Sequence, residues 1–272
     1  MKAPLNYYER IQRSLDYLEQ QLDADFSVRA ASRAAGMSQS NFYRMFFALV
    51  GCPVKTHVRL RRLARASRDL AVTRESVLHL SLRYGFNSHE SFTRAFRKAT
   101  GMTPSACRRT RTPFNYERRN LMKECFESQD PQQAERHPGI KVLNSLPPMR
   151  VASFRAMGRA PEDKAWARLL AWAKPHGLDR ESGCRFFGFN NPSPAQGQSV
   201  YGYEVWVTLP DGVHVDDPEI VEKNFPGGTY AITSTTVAEC PAAWQRFSDW
   251  LRHSRYRHAD HQWLEEHLLF AG

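Results

Sequence analysis

The chain has 272 residues, of which 42% are hydrophobic and 24% charged. That length suggests two domains, and that composition excludes wholesale disorder. No apolar run reaches the roughly 20 residues needed to span a bilayer, and the N-terminus lacks an apolar signal-peptide core. The five cysteines are odd in number and scattered, with no C-x-x-C pair, so reduced thiols and a soluble, cytoplasmic protein are expected. The net charge of +10 is unevenly spread. Residues 1–123 hold 23 Lys and Arg against 9 Asp and Glu, a balance of +14, whereas residues 124–272 hold 15 against 19, a balance of −4. A basic half joined to a mildly acidic half implies that one part meets a polyanion and the other does not.

In residues 5–22, Leu5, Tyr8, Ile11, Leu15, Leu18 and Leu22 recur at helical spacing. Ser27 caps a short alanine-rich helix that Gly36 closes, and Gly36-Met37-Ser38 is a tight turn into the next helix. That helix, residues 38–51, is followed by Pro53 and a long helix over 54–70 carrying Arg59, Arg61, Arg62, Arg65 and Arg68. Residues 75–84 predict a second supporting helix, Gly85-Phe86-Asn87 a second turn, and 88–101 a second repeat helix, stopped at Gly101 with Pro104 preventing resumption. At a shift of 50, Ser38, Phe42, Arg44, Phe46 and Gly51 match Ser88, Phe92, Arg94, Phe96 and Gly101, an internal repeat of a basic amphipathic helix. The phenylalanines lie on its apolar stripe and are core.

Residues 113–137 are polar and proline-containing and read as a linker between a domain over 1–112 and a second over 138–272. Strands are predicted near 142–143, 150–157, 184–189, 201–209, 220–225, 229–237 and 264–270, with helices over 161–174 and 241–254. The order predicts an α+β domain of two strand-helix-strand-strand repeats behind an all-α domain with two helix-turn-helix units.

The first half resembles the DNA-binding domain of the AraC/XylS family of transcription regulators. The resemblance rests on Ala31, Gly36-Met37-Ser38, Phe42-x-Arg44-x-Phe46 and Gly51. It continues with Leu63, Ala66 and Leu70, and with Tyr84-Gly85-Phe86, Ser91-Phe92, Arg94-x-Phe96 and Gly101-x-x-Pro104. Ser81 stands where the family usually has alanine. The resemblance implies that one chain inserts two helices into successive major grooves of double-stranded DNA, about 34 Å apart. Carried over by position, Gln39, Ser40, Tyr43 and Arg44 face the groove in the first unit, and His89, Glu90, Thr93 and Arg94 in the second. Arg44 and Arg94 suit guanine and Glu90 suits cytosine. Arg59, Arg62, Arg97, Lys98, Arg108 and Arg109 suit phosphates.

In the second half, YGYEVWVTL (201–209) puts Gly202, Glu204, Trp206 and Thr208 on one strand face, with Tyr203, Val205, Val207 and Leu209 packed on the other. A mid-strand glutamate is costly if buried alone. Glycine beside it makes room, so a pocket with one anionic anchor is expected, suited to a small lipophilic or cationic effector. Phe187 and Phe189 are further candidates for its lining. The stretch from Ile140 onward resembles the gyrase-inhibitor-like (GyrI-like) effector-binding domains through Pro148-Met149-Arg150-Val151-Ala152, Tyr203-Glu204-x-x-Val207, Gly227-Gly228-x-Tyr230-Ala231 and Leu264-Glu265-Glu266. That resemblance implies that Glu204 lines a ligand cleft; His267 stands where the family often has tyrosine. No catalytic residue, cofactor or metal site is expected: His253, His258, His261 and His267 fit no common zinc spacing. The expectation is a ligand-responsive transcription regulator, with DNA, an effector and RNA polymerase as partners and no membrane. The alternatives are a C-terminal protein-docking module, or a hydrolase-like one using Glu204.

Overall fold

The computed structural model describes residues 6–24, 26–128, 130–179, 183–194, 197, 199–259 and 262–268. The chain divides into two compact units between Glu124 and Cys125.

The first unit is helical: α1 (Tyr7–Gln20), α2 (Val28–Ala34), α3 (Gln39–Val50), α4 (Val54–Val72), α5 (Val77–Arg83), α6 (His89–Thr100), α7 (Pro104–Thr110) and α8 (Leu121–Cys125). Its starts are written in serine. Ser27, Ser38, Ser76 and Ser88 each accept a hydrogen bond from the backbone N–H three residues on, filling a donor the helix cannot satisfy. At Ser88 the arrangement is reciprocal, because the Ser91 hydroxyl accepts from the Ser88 N–H at 3.2 Å.

The two helix-turn-helix units repeat bond for bond. Gly36 N–H donates to Arg33 and Met37 N–H to Ser32 in the first turn; Gly85 N–H donates to Leu82 and Phe86 N–H to Ser81 in the second. Gly36 and Gly85 take φ of 62° and 71°, which favours glycine. Ser81 is fully buried, and its hydroxyl is satisfied by the Leu78 carbonyl at 2.7 Å. Phe42 and Phe46 are fully buried with ring centroids 5.5 Å apart, as are Phe92 and Phe96 at the same separation. The phenylalanines are therefore core, as their spacing predicts.

Pro104 does not stop the chain from being helical. It opens α7 at the first turn, where its missing N–H needs no partner, with Thr103 as the cap. The first part of the expected linker is likewise built in. Phe114 N–H donates to Ser67 Oγ at 2.9 Å, and Tyr116 bonds His57 Nδ1 at 3.1 Å through its hydroxyl and the Arg61 guanidinium through its carbonyl. Leu121 is fully buried. The segment thus packs on α4 through Phe114 and Tyr116 and is then tied to α1 by Arg118–Asp16 and Leu121–Gln12 and to the end of α3 by Arg119–Val50.

The second unit contains α9 (Pro131–Arg136), β1 (Lys141–Leu146), β2 (Met149–Gly158), α10 (Glu162–Ala173), β3 (Phe186–Asn190), β4 (Tyr201–Thr208), β5 (Val221–Phe225), β6 (Gly228–Ile232), α11 (Cys240–His253) and β7 (Glu265–Glu266). A five-stranded antiparallel sheet has the order β5-β2-β4-β3-β7, and β1 pairs with β6 in a second sheet. Tyr203, Val205 and Val207 pack with Ala165, Leu169 and Trp172 of α10, the helix-facing side that alternation predicts. Trp250 of α11 packs with Val142 on the small sheet. The first strand-helix-strand-strand run is β2, α10, β3 and β4. After α11 only β7 is formed among the described residues; positions 269–270 of the predicted last strand lie outside them.

His57 is the titratable weak point of the first unit. Burial, and repulsion from Arg61 and Arg119, lower its pKa from 6.5 to about 4. The unfolded chain therefore binds the proton more readily, so stability present above pH 6.5 is lost as pH falls towards 4. The loss amounts to up to about 3 kcal/mol at 1.36 kcal/mol per unit. The opening free energy of α3 and α4, from amide exchange corrected for the intrinsic pH dependence, should fall over that window in the native protein and stay flat in His57→Gln.

Candidate nucleic-acid interface and ligand site

The outward face of α3 carries Gln39, Ser40, Tyr43 and Arg44, all exposed, with Phe42, Met45 and Phe46 beneath. The matching face of α6 carries His89, Glu90 and Arg94 exposed and Thr93 half-buried. His89, Glu90, Thr93, Arg94, Arg97 and Lys98 line one open concave surface together with Thr103, so all six second-unit candidates are brought together. Hydrogen bonds from its own backbone N–H and from Ser88, with His89 nearby, hold the Glu90 carboxylate below its ordinary range at the helix N-terminus.

Two half-buried arginines serve the fold. Arg62 donates to the Ala24 carbonyl, lies over the Phe26 ring at 5.7 Å, and occupies the space a side chain at Gly85 would need. Arg108 donates to the Glu75 carbonyl. Each thereby commits part of its guanidinium to a backbone carbonyl, a structural use that the sequence does not announce. The cause is tertiary: each lies within reach of a backbone carbonyl that needs a donor. Arg59, Arg97, Lys98 and Arg109 are exposed. Phe47 went unnoticed in the sequence. It is 56% exposed on α3, four residues beyond Tyr43, where the repeat places Arg97 in α6. An aromatic at a position outside the i, i+4 core stripe was the available signal.

In the second unit Glu204 is 1% exposed and surrounded by donors. Its Oε1 accepts from Ser153 Oγ at 2.7 Å, Trp206 Nε1 at 2.5 Å and Lys223 Nζ at 2.6 Å, and its Oε2 accepts from Asn191 Nδ2 at 2.7 Å. Burial alone would raise its pKa. The hydrogen bonds from Lys223, Trp206, Ser153 and Asn191 outweigh burial and hold it below the usual carboxylate value. Trp206 meets Phe189 edge-on at 4.8 Å, with Phe187 at 6.5 Å and Phe225 at 5.8 Å. All four rings are buried.

Gly202 does not make room for a ligand. A Cβ there would strike the Asn191 carbonyl and approach the Met157 sulfur, so the glycine lets Asn191 and Pro192 press against β4. Gly202 and Asn191–Pro192 exchange backbone hydrogen bonds of 2.8 and 3.1 Å. Phe187 and Phe189 pack around Trp206, which bonds Glu204, whereas Ser153, Asn191 and Lys223 were missed. Their sequence neighbourhoods are ordinary, and only the strand register unites them. His267 packs edge-on against Trp166 at 4.7 Å, and His261 lies outside the described residues. A separate depression of about 450 Å³ lies between residues 127–136 and the end of α11, with Glu127 tied to Arg255 and Tyr256.

The helix-turn-helix domain family matches residues 31–110, and the GyrI-like small molecule binding domain family matches residues 142–269. The TetD protein of transposon Tn10 from Escherichia coli is 33% identical over 95 residues, covering 35% of this chain and 69% of that protein. The chain belongs to the AraC/XylS family of transcription regulators. Two longer AraC/XylS relatives are similar over the same part: the HTH-type transcriptional regulator YbfP of Bacillus subtilis and the right origin-binding protein of E. coli K12. They are 36% and 35% identical over 103 and 96 residues, or 38% and 35% of this chain. The chain spans about a third of the length of each, 35% and 33%. Among the described residues no helix is long and apolar enough to cross a membrane.

Gly202→Ala should be costly, because the added methyl meets backbone rather than a flexible side chain. Overpacking of this kind costs about 1–3 kcal/mol. A lowered melting temperature, with Trp206 fluorescence changed in the native state, is the expected result of a thermal scan.

Proposed function

We propose that this chain is a DNA-binding transcription regulator whose helices α3 and α6 enter two adjacent major-groove segments, and whose C-terminal unit takes a small-molecule effector at Glu204. The observation that carries the first part is the doubled reading head. Two helices with the same serine start, the same buried phenylalanine pair and the same left-handed glycine stop present matching outward positions, 39, 40, 43, 44 and 89, 90, 93, 94, all exposed but the half-buried Thr93. A protein that needed one such surface would have no use for its repetition at matched positions on one chain.

In this reading Arg44 and Arg94 read bases, Glu90 and Thr93 refine the choice, and Arg59, Arg97 and Lys98 hold phosphates. The DNA-binding part extends through the packed arm to residue 124. The matches to helix-turn-helix and GyrI-like families, in that order along the chain, support the pairing of a reader with a sensor. We read the second unit as a duplicated strand-helix-strand-strand domain whose second copy is abbreviated. Glu204, with Oε1 saturated by three donors, is not poised as a general base, which favours binding over hydrolysis. A change in the second unit on effector binding would alter operator affinity or contact with RNA polymerase.

Selection of binding sites from random duplexes should yield two short blocks about one helical turn apart. Arg94→Ala should relax preference at one base position, at a cost of about 1–3 kcal/mol, while Lys98→Ala should weaken all sites alike and reduce the salt slope by about 1. A single block, or an unchanged preference in Arg94→Ala, would count against two-headed reading.

A further inference from the structure

The Glu204 site carries its own cation. Glu204 Oε1 accepts from Lys223, Ser153 and Trp206, all within 2.7 Å. A carboxylate oxygen offers about two lone-pair sites, so this atom has no capacity for another donor. The carboxylate is 1% exposed, whereas the Lys223 side chain is 41% exposed. The charged group that a solute meets is therefore the ammonium. Lys223 has three N–H donors and commits one to Glu204, leaving its outer donors towards solvent. Arg155 stands directly opposite Glu204 in the β2–β4 ladder, on the same sheet face, and is also exposed. A second cation thus flanks the buried acid.

A cationic ligand would have to pass this rim and compete with an ammonium already held at Oε1, or crowd beside Asn191 at Oε2 next to that like charge. An anion would add to the outer donors of Lys223 and leave the pair intact. Trp206, whose Nε1 bonds the carboxylate, packs with Phe189 and Phe225 in a buried apolar cluster adjoining the acid. Resting on the reading of Glu204 as the effector site, we propose that Lys223 is a tethered counter-ion that excludes cationic ligands and that the site takes a small aromatic carboxylate. The charge preference expected from the sequence, where Glu204 stands as a lone anionic anchor, is thereby reversed.

The test uses two probes of one shape and opposite charge, 2-naphthoate and 2-naphthylmethylammonium, titrated calorimetrically into the full chain. The native protein should bind naphthoate at least tenfold more tightly. Lys223→Met should reverse the order, Lys223→Arg should preserve it, and adding Glu204→Gln to Lys223→Met should abolish binding of the ammonium probe. Lys223→Gln, which retains a donor to Glu204, provides the same comparison if the methionine variant does not fold. A native preference for the ammonium, or a naphthoate preference unchanged in Lys223→Met or Lys223→Gln, would overturn the proposal and leave Glu204 as a ligand site. Failure of both probes to bind the native protein and every variant would overturn the ligand site itself, and this proposal with it.

Discussion

The reading half of this molecule depends on α4. Its 19 residues span about 28 Å at 1.5 Å per residue, and its two ends belong to different cores. Near its start, Val54 and Val58 are buried and the His57 ring meets Phe46 of the first head edge-on at 5.6 Å. Further along, Leu63, Ala66 and Leu70 pack with Phe92 and Phe96 of the second. The spacing of the two heads is therefore set by a continuous hydrogen-bonded rod and not by a loop. A flexible joint would let each head bind alone and would lose the register that makes two short readouts one longer one.

Holding that rod in place takes charge that a count of basic residues assigns to DNA. Arg61 is 4% exposed and makes a bidentate pair with Glu19 at 3.0 and 2.8 Å, while also donating to the Tyr116 carbonyl. Arg65 faces Glu19 and Asp23, and Arg62 serves the Ala24 carbonyl. Of the five arginines on α4, Arg59 and Arg68 are the exposed ones. Buried guanidinium is tolerable only when its donors are met, and removing one partner from such a pair typically costs about 3–5 kcal/mol. α1, α4 and the arm at 114–116 are thus fastened by one side chain, and the basic excess of this half is partly architectural.

What could be read in advance follows from the range of the forces involved. Serine caps, glycine stops, the phenylalanine stripe and the 50-residue repeat are local patterns, and each produced the element it implies. The faces of β4 also follow from alternation alone. The misreadings concern contacts between residues far apart in the chain. Nothing near Arg62 announces a carbonyl at Ala24, nothing near Gly202 announces the Asn191 carbonyl, and Lys223 reaches Glu204 only through the order β5-β2-β4. Pro104 is a different kind of miss. The rule that lets proline open a helix, applied at Pro53, holds equally there, and Thr103 supplies the cap.

The two halves share one device and use it differently. Each buries a charge under a counter-ion: Arg61 under Glu19, Glu204 under Lys223. In the first pair both side chains are enclosed, at 4% and 14% exposure, and further tied to the arm. Neither can leave without stranding the other, so the pair is a lock. In the second, one member is sealed at 1% and the other is 41% exposed. Lys223 can turn to a solute without crossing a protein interior, while Ser153, Trp206 and Asn191 still hold the carboxylate. Of these two pairs, the second is therefore the one that rearranges at the lower cost. On the proposed function, rigidity is placed where two heads must keep register, and adjustable charge where a signal must be received. That division of labour also explains why the basic half and the mildly acidic half need not resemble each other in charge.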